Sequence, residues 1–194
     1  MRNKFKLIPF AGRMGVCATD QNDWTALHIA AWNGMSKSFD FLLAQPEMDV
    51  NAMNKRKSTL LMIASRSGNL AVLELLLGQK EAKVDTKPEY CGRTAIIEAA
   101  VQGHISVVQT LIAHDASVNL VDKTGRNSAL IEALKNGHDD ISLFLLRSGL
   151  SDFSAHDLRL RAAIWCGRCG NNGLLSKLDI AMRGFFNRLD RASS

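Results

Sequence analysis

No run of apolar residues in this 194-residue chain approaches the roughly 20 that a membrane-spanning helix requires. A transmembrane segment is therefore excluded from the sequence reading. Proline occurs only three times and tyrosine once, which excludes proline-rich and collagen-like architectures. The four cysteines, Cys17, Cys91, Cys166 and Cys169, are too few and too dispersed for a disulfide framework. A reducing intracellular setting, cytoplasmic or nuclear, is the expectation. The sequence also lacks a glycine-rich phosphate loop, an H-E-x-x-H pair, a G-x-S-x-G elbow and the kinase signatures. Its acidic residues fall singly, at positions expected to face solvent, so no pair of carboxylates suggests acid–base chemistry. No enzyme activity and no cofactor or metal is expected.

What is present is the composition of a folded soluble domain, 46% hydrophobic and 22% charged, long enough to bury a continuous core. The net charge of +5 is unevenly spread. Residues 1–19 carry four basic side chains and no acid, residues 20–155 carry 13 basic and 16 acidic, and residues 156–194 carry seven basic and three acidic. The body is thus mildly acidic, at −3, between basic ends.

A ten-residue frame organises that body. It reads T-A-L-H-I-A-A-W-N-G from Thr25 to Gly34 and T-L-L-M-I-A-S-R-S-G from Thr59 to Gly68. It returns as T-A-I-I-E-A-A-V-Q-G from Thr94 to Gly103 and S-A-L-I-E-A-L-K-N-G from Ser128 to Gly137. The closing glycines are 34, 35 and 34 residues apart, a spacing that marks stacked repeats. Each frame is followed by a second apolar block: Phe39 to Leu43, Leu73 to Leu77, Val108 to Ile112 and Ser142 to Leu146. The first three blocks lead to Asp49-Val50-Asn51, Lys83-Val84-Asp85 and Ser117-Val118-Asn119. The physical reading is helix, turn, helix and hairpin-like connector. Thr or Ser heads each first helix as a cap, Gly ends it in the left-handed conformation, and each helix buries one apolar stripe against its neighbours.

This pattern resembles the ankyrin repeat, whose T-P-L-H-x-A signature sits in a unit of about 33 residues. The resemblance covers roughly residues 20–150 and implies an all-α solenoid of stacked helix–turn–helix repeats with β-turn or hairpin connectors. Four repeats are expected at 20–53, 54–88, 89–121 and 122–155. Residues 1–19 read as a degenerate half-repeat acting as an N-terminal cap, with a targeting segment as the other reading of their basic composition. Residues 156–194 read as a divergent fifth repeat with an amphipathic capping helix; the other reading of that helix is a membrane or partner contact. Ala26, Leu60, Ala95 and Ala129 stand where the family has proline. His28 holds the family's T-x-L-H position, and His104 and His138 each follow a frame glycine. All three are read as structural.

The one motif with a catalytic look is Trp165-Cys166-Gly167-Arg168-Cys169. A thiol-redox or zinc role for Cys166 and Cys169 is the alternative function. Against it, the pair falls at the end of an expected helix, where the dipole raises rather than lowers a thiol pKa, and only His156 is a nearby third ligand. A second alternative is anionic-membrane or nucleic-acid binding through the basic ends, which the acidic body disfavours.

The resemblance implies that partners lie in the concave groove made by turn tips and the exposed ends of first helices. Transferred by register, the candidate positions are Trp24, Trp32, Asn33, Arg56, Arg66, Tyr90, Arg93, Gln102, Arg126 and Lys135. Trp, Tyr and Arg are the residue types that dominate binding hot spots. The function expected is therefore protein–protein recognition, as an adaptor, inhibitor or targeting subunit. The partner expected is a protein with an apolar anchor near repeat 1 and an acidic segment running towards repeat 4, rather than a nucleic acid. The arginines should lie outside the stacking stripes and be open to that segment's carboxylates.

Overall fold

The computed structural model describes residues 18–46, 48–89 and 92–148. Among them are eight helices in four pairs: α1 (Ala26–Asn33) with α2 (Ser36–Leu43), α3 (Leu60–Ser67) with α4 (Leu70–Leu77), α5 (Ala95–Gln102) with α6 (Ile105–Ala113), and α7 (Ala129–Lys135) with α8 (Asp139–Ser148). The described connectors form no strand; single antiparallel bridges join Met53 to Thr59 and Val121 to Ser128, closing the turns ahead of α3 and α7. Residues 1–17 of the half-repeat expected over 1–19, Tyr90, Cys91, Cys166, Cys169 and the terminal amphipathic helix lie outside the described residues.

The ends of the first helices follow from their sequence frames. Thr25, Thr59 and Ser128 have extended backbones, and their hydroxyls accept the N–H three residues on, at 3.4, 3.3 and 3.3 Å. Each satisfies one donor that a helix start leaves open. Thr94 departs from the pattern: its backbone is extended, but its buried hydroxyl makes no hydrogen bond. Gly34, Gly68, Gly103 and Gly137 all have positive φ, as a left-handed helix stop requires.

First helices stack on first helices, and second helices on second helices, giving two layers. One feature differs from the sequence reading. The expected single stripe holds for α4, which buries Val72, Leu73, Leu76 and Leu77 while Glu74 stays exposed. It fails for α3, α5 and α7, where every residue from Leu60 to Ser65, from Ala95 to Ala100 and from Ala129 to Leu134 is buried. For α3 and α5 the cause is position: each has a neighbour on either side in its own layer and a second helix behind. Small residues such as Ala64, Ala99, Ala100 and Ala133, all buried, suit that close approach. In α3, α5 and α7 only the last turn reaches solvent, and the groove surface comes from these turns together with the loop tips.

Candidate protein-binding surface

The turns that rim the groove are held by buried polar side chains. In repeat 2 the Asn54 side chain, 4% exposed, accepts the N–H groups of Arg56 and Ser58 at 3.0 and 3.1 Å. Its backbone N–H donates to the Ser58 carbonyl and its carbonyl accepts from Lys57 N–H. Asp122 does the same in repeat 4. It accepts the Thr124 hydroxyl at 2.6 Å and the Asn127 side-chain amide at 2.7 Å, with further N–H donors from Thr124, Arg126 and Asn127. Burial pushes its carboxyl pKa up, but hydrogen bonds from Thr124, Asn127 and Arg126 outweigh that and bring it down to about 2. Asp20 accepts from the backbones of Asn22 and Trp24. The Lys55 N–H then donates to the Asn22 carbonyl, tying the first turn to the second.

Trp24, Trp32, Asn33, Arg56 and Arg66 line one cleft of about 430 Å³ between the first two helix pairs. Their apolar companions in its wall are Ile29 and Ile63, which the sequence reading did not single out because alternation in a buried helix does not distinguish a groove-facing residue. The two indoles meet edge to face, ring centres 6.2 Å apart, and Trp24 also lies 5.9 Å from the His28 ring. Trp24 is half-buried against the core, whereas Trp32 is 46% exposed. Asn33 ties its own amide to the Ile29 carbonyl. Gln102 and Arg126 are exposed but stand outside the cleft.

The charged side chains require a correction. Acidic residues expected on solvent faces are in part buried and paired: Glu98 is 3% exposed and Glu132 is 6% exposed. Arg66 holds Glu98 with a two-pronged contact, Nε to Oε2 at 3.0 Å and Nη2 to Oε1 at 2.7 Å. Arg93 and Lys135 converge on Glu132 at 3.8 and 3.3 Å, and Lys135 also donates to the Asn127 side-chain oxygen. Arg66, Arg93 and Lys135 are therefore committed to carboxylates of the stack itself. The expectation that the arginines sit open to a partner's acids does not hold for Arg66 and Arg93. The sequence signal was the Glu shared by the third and fourth frames, T-A-I-I-E and S-A-L-I-E.

The histidines are structural, as their positions suggested. The fully buried His28 accepts the Thr25 N–H on Nδ1 at 3.1 Å, which places its proton on Nε2. That Nε2 makes no hydrogen bond of good geometry, although the Ala52 and Ser58 backbones lie near enough to favour its protonated form. Burial lowers the His28 pKa to about 4, offset only in part by the nearby Ala52 backbone, the Asp20 carboxylate and the Ser58 backbone. His104 and His138 reach back one repeat, Nε2 lying 3.2 Å from the Arg66 and Val101 carbonyl oxygens respectively. Asn69 takes the equivalent place in repeat 2, donating to the Ala31 and Trp32 carbonyls at 2.7 and 2.9 Å. No group of three or more metal-ligating side chains occurs among the described residues, and none of their helices is long and apolar enough to cross a membrane.

Comparison with known proteins agrees with this architecture. The family described as ankyrin repeats (three copies) matches residues 5–88 and 61–157. The ankyrin repeat and KH domain-containing protein mask-1 of Caenorhabditis elegans is 30% identical over 149 residues, 77% of this chain and 6% of that protein. The E3 ubiquitin-protein ligase XBAT33 of Arabidopsis thaliana is 33% identical over 124 residues, 61% of this chain and 23% of that protein. Ankyrin repeat domain-containing protein 29 of Danio rerio is 46% identical over 57 residues, 29% of this chain and 19% of that protein. This chain thus spans less than a quarter of the length of each of these relatives. With four stacked helix pairs, capped frames and left-handed glycine stops along the matched residues, the chain belongs to the ankyrin repeat family.

Proposed function

We propose that this chain is a non-catalytic recognition module that takes a partner protein along its groove, in the role of adaptor, inhibitor or targeting subunit. The observation that carries the reading is the cleft between the first two helix pairs. It presents a half-exposed Trp32 beside Trp24, with Arg56 on its rim. An indole that contributes little to the stack yet sits at the centre of a concavity is the usual form of a binding anchor. The turns around it are fixed by Asn54 and Asp20 before any partner arrives, which lowers the ordering cost of association. The targeting form of the reading draws on the relative named as an E3 ubiquitin-protein ligase, in which the similar stretch is one part of a longer chain.

The test is a side-by-side retention experiment with the wild-type chain and Trp32→Ala, after both are shown to melt together. Proteins held by the wild type and lost by Trp32→Ala support the groove. If Trp32→Ala retains the same set with the same affinity, the partner face lies elsewhere and the proposal fails.

A further inference from the structure

Three consecutive cations, Lys55, Arg56 and Lys57, form the tip of the repeat 2 turn, and all are exposed. They differ from Arg66, Arg93 and Lys135 in one respect: no carboxylate among the described residues pairs with their side chains. Their backbone is nevertheless rigid, because Asn54 clamps the turn from below and Lys55 N–H is bonded to Asn22. Arg56 lines the same cleft as Trp24, Trp32, Ile29 and Ile63. A preorganised positive tip, paired with no described carboxylate, therefore adjoins a cleft whose wall carries two indoles and two isoleucines. The carboxylate of Asp20, also in that cleft, accepts the N–H groups of Asn22 and Trp24 through Oδ1, keeps its negative charge and makes no ion pair with the tip.

We infer that the partner segment recognised here is a short linear one, in which a large apolar or aromatic side chain enters the Trp24–Trp32 cleft and adjacent Asp or Glu residues bind the Lys55–Lys57 tip. This rests on the groove reading above and adds the chemistry of its occupant. It also moves the acidic contact away from Arg66, whose charge Glu98 balances, and from Arg93, which shares the single Glu132 carboxylate with Lys135. A protein segment is favoured over nucleic acid because residues 20–155 carry 16 acids against 13 bases. A phosphate backbone running along the groove beyond the tip would meet the neutral Arg66–Glu98 pair and a single net positive charge at Arg93, Lys135 and Glu132 rather than a continuous basic track.

The probe is a library of random twelve-residue peptides displayed on phage, selected on the full chain and then re-measured as synthetic peptides. A twelve-nucleotide single-stranded RNA is titrated in parallel. The variants are Trp32→Ala and the double substitution Lys55→Glu with Arg56→Glu. Lys57 is left in place because its φ of 59° is already in the left-handed region, where a substitution confuses strain with charge. The expected result is an enriched class combining an apolar residue with nearby acids. Its affinity should fall roughly tenfold or more on charge reversal, as for several opposed surface charges, and the loss should shrink in high salt. Peptides that need Trp32 but ignore the charge reversal overturn this inference and leave the groove reading standing. Peptides that ignore Trp32→Ala overturn both. RNA binding abolished by the charge reversal, with no peptide enriched, replaces the acidic peptide with a nucleic acid.

Discussion

Arg66→Glu should destabilise this chain measurably, although the side chain it changes is partly on the surface. The guanidinium makes two contacts to Glu98, at 2.7 and 3.0 Å, and the Glu98 side chain is 4% exposed against 34% for Arg66. Opposite unit charges about 4 Å apart attract by about 4 kcal/mol at the effective dielectric of a protein surface. The one-third exposure of Arg66 calls for a discount to about 2 kcal/mol. Reversal adds a repulsion, so the total lies at roughly 2–4 kcal/mol, within the range for stranding one partner of a buried pair. For a chain of this length that corresponds to a melting point lower by about 5–15 °C. Thermal and urea unfolding followed by circular dichroism would measure it. The decisive arm is a double-mutant cycle: in the Glu98→Gln background the same Arg66→Glu change should cost less than half as much. A melting point within about 1 °C of wild type, or an equal cost in both backgrounds, would refute the assignment of this pair to the stack.

Other consequences are separable from that one. The His28 pKa of about 4 lies below its ordinary 6.5, so the unfolded chain binds the extra proton between those values. Its contribution is complete above pH 6.5 and fades, by up to roughly 3 kcal/mol, as pH falls to 4; urea titrations should show His28→Asn with a shallower pH slope over that window. Gly103→Ala should cost more than Gly125→Ala, because both have positive φ, but a Cβ at Gly103 comes within 2.6 Å of the His138 ring while nothing lies within 4 Å of Gly125. The left-handed penalty common to both is about 1–2 kcal/mol, and chemical denaturation should show the surplus at Gly103 alone. Asp122→Ala should remove about 2 kcal/mol, the worth of its charge-assisted hydrogen bonds, and accelerate amide exchange at Thr124, Arg126 and Asn127.

The helix pairs were legible because a period of 34 or 35 residues reports a local event repeated. Thr25 to Gly34 encloses α1 to the residue, since a cap and a stop each act within one turn. The all-round burial of α3 and α5 was not legible, because periodicity records which face is most apolar and says nothing of how many neighbours a helix has. The Arg66–Glu98 pair joins residues 32 positions apart. That is three short of the 35-residue spacing between these two frames, so placing them together requires the lateral offset between neighbouring units. The exposed Trp32 was legible for a different reason. Its place in the frame is held by Arg66, Val101 and Lys135 in the later repeats, and a slot tolerating Arg and Lys faces water in part.

The polar bridges between repeats share a direction that bears on binding. Asn69, His104 and His138 each reach back to a carbonyl at the end of the preceding first helix: Ala31 and Trp32, Arg66, and Val101. Those carbonyls belong to the turns whose side chains form the groove. The backbone of Trp32 is thus held by repeat 2, and the cleft it lines exists only while the first two helix pairs stay docked. In a stack whose stability is a sum of unit and nearest-neighbour terms, a partner seated in that cleft adds its binding free energy to this one interface. Repeat 1 is where the addition matters: Phe41 on α2 is 69% exposed, whereas Leu75 in the same place on α4 packs against the core. The least covered described pair is therefore the one whose docking a groove partner would reinforce, so affinity and the integrity of repeat 1 are linked by mass action.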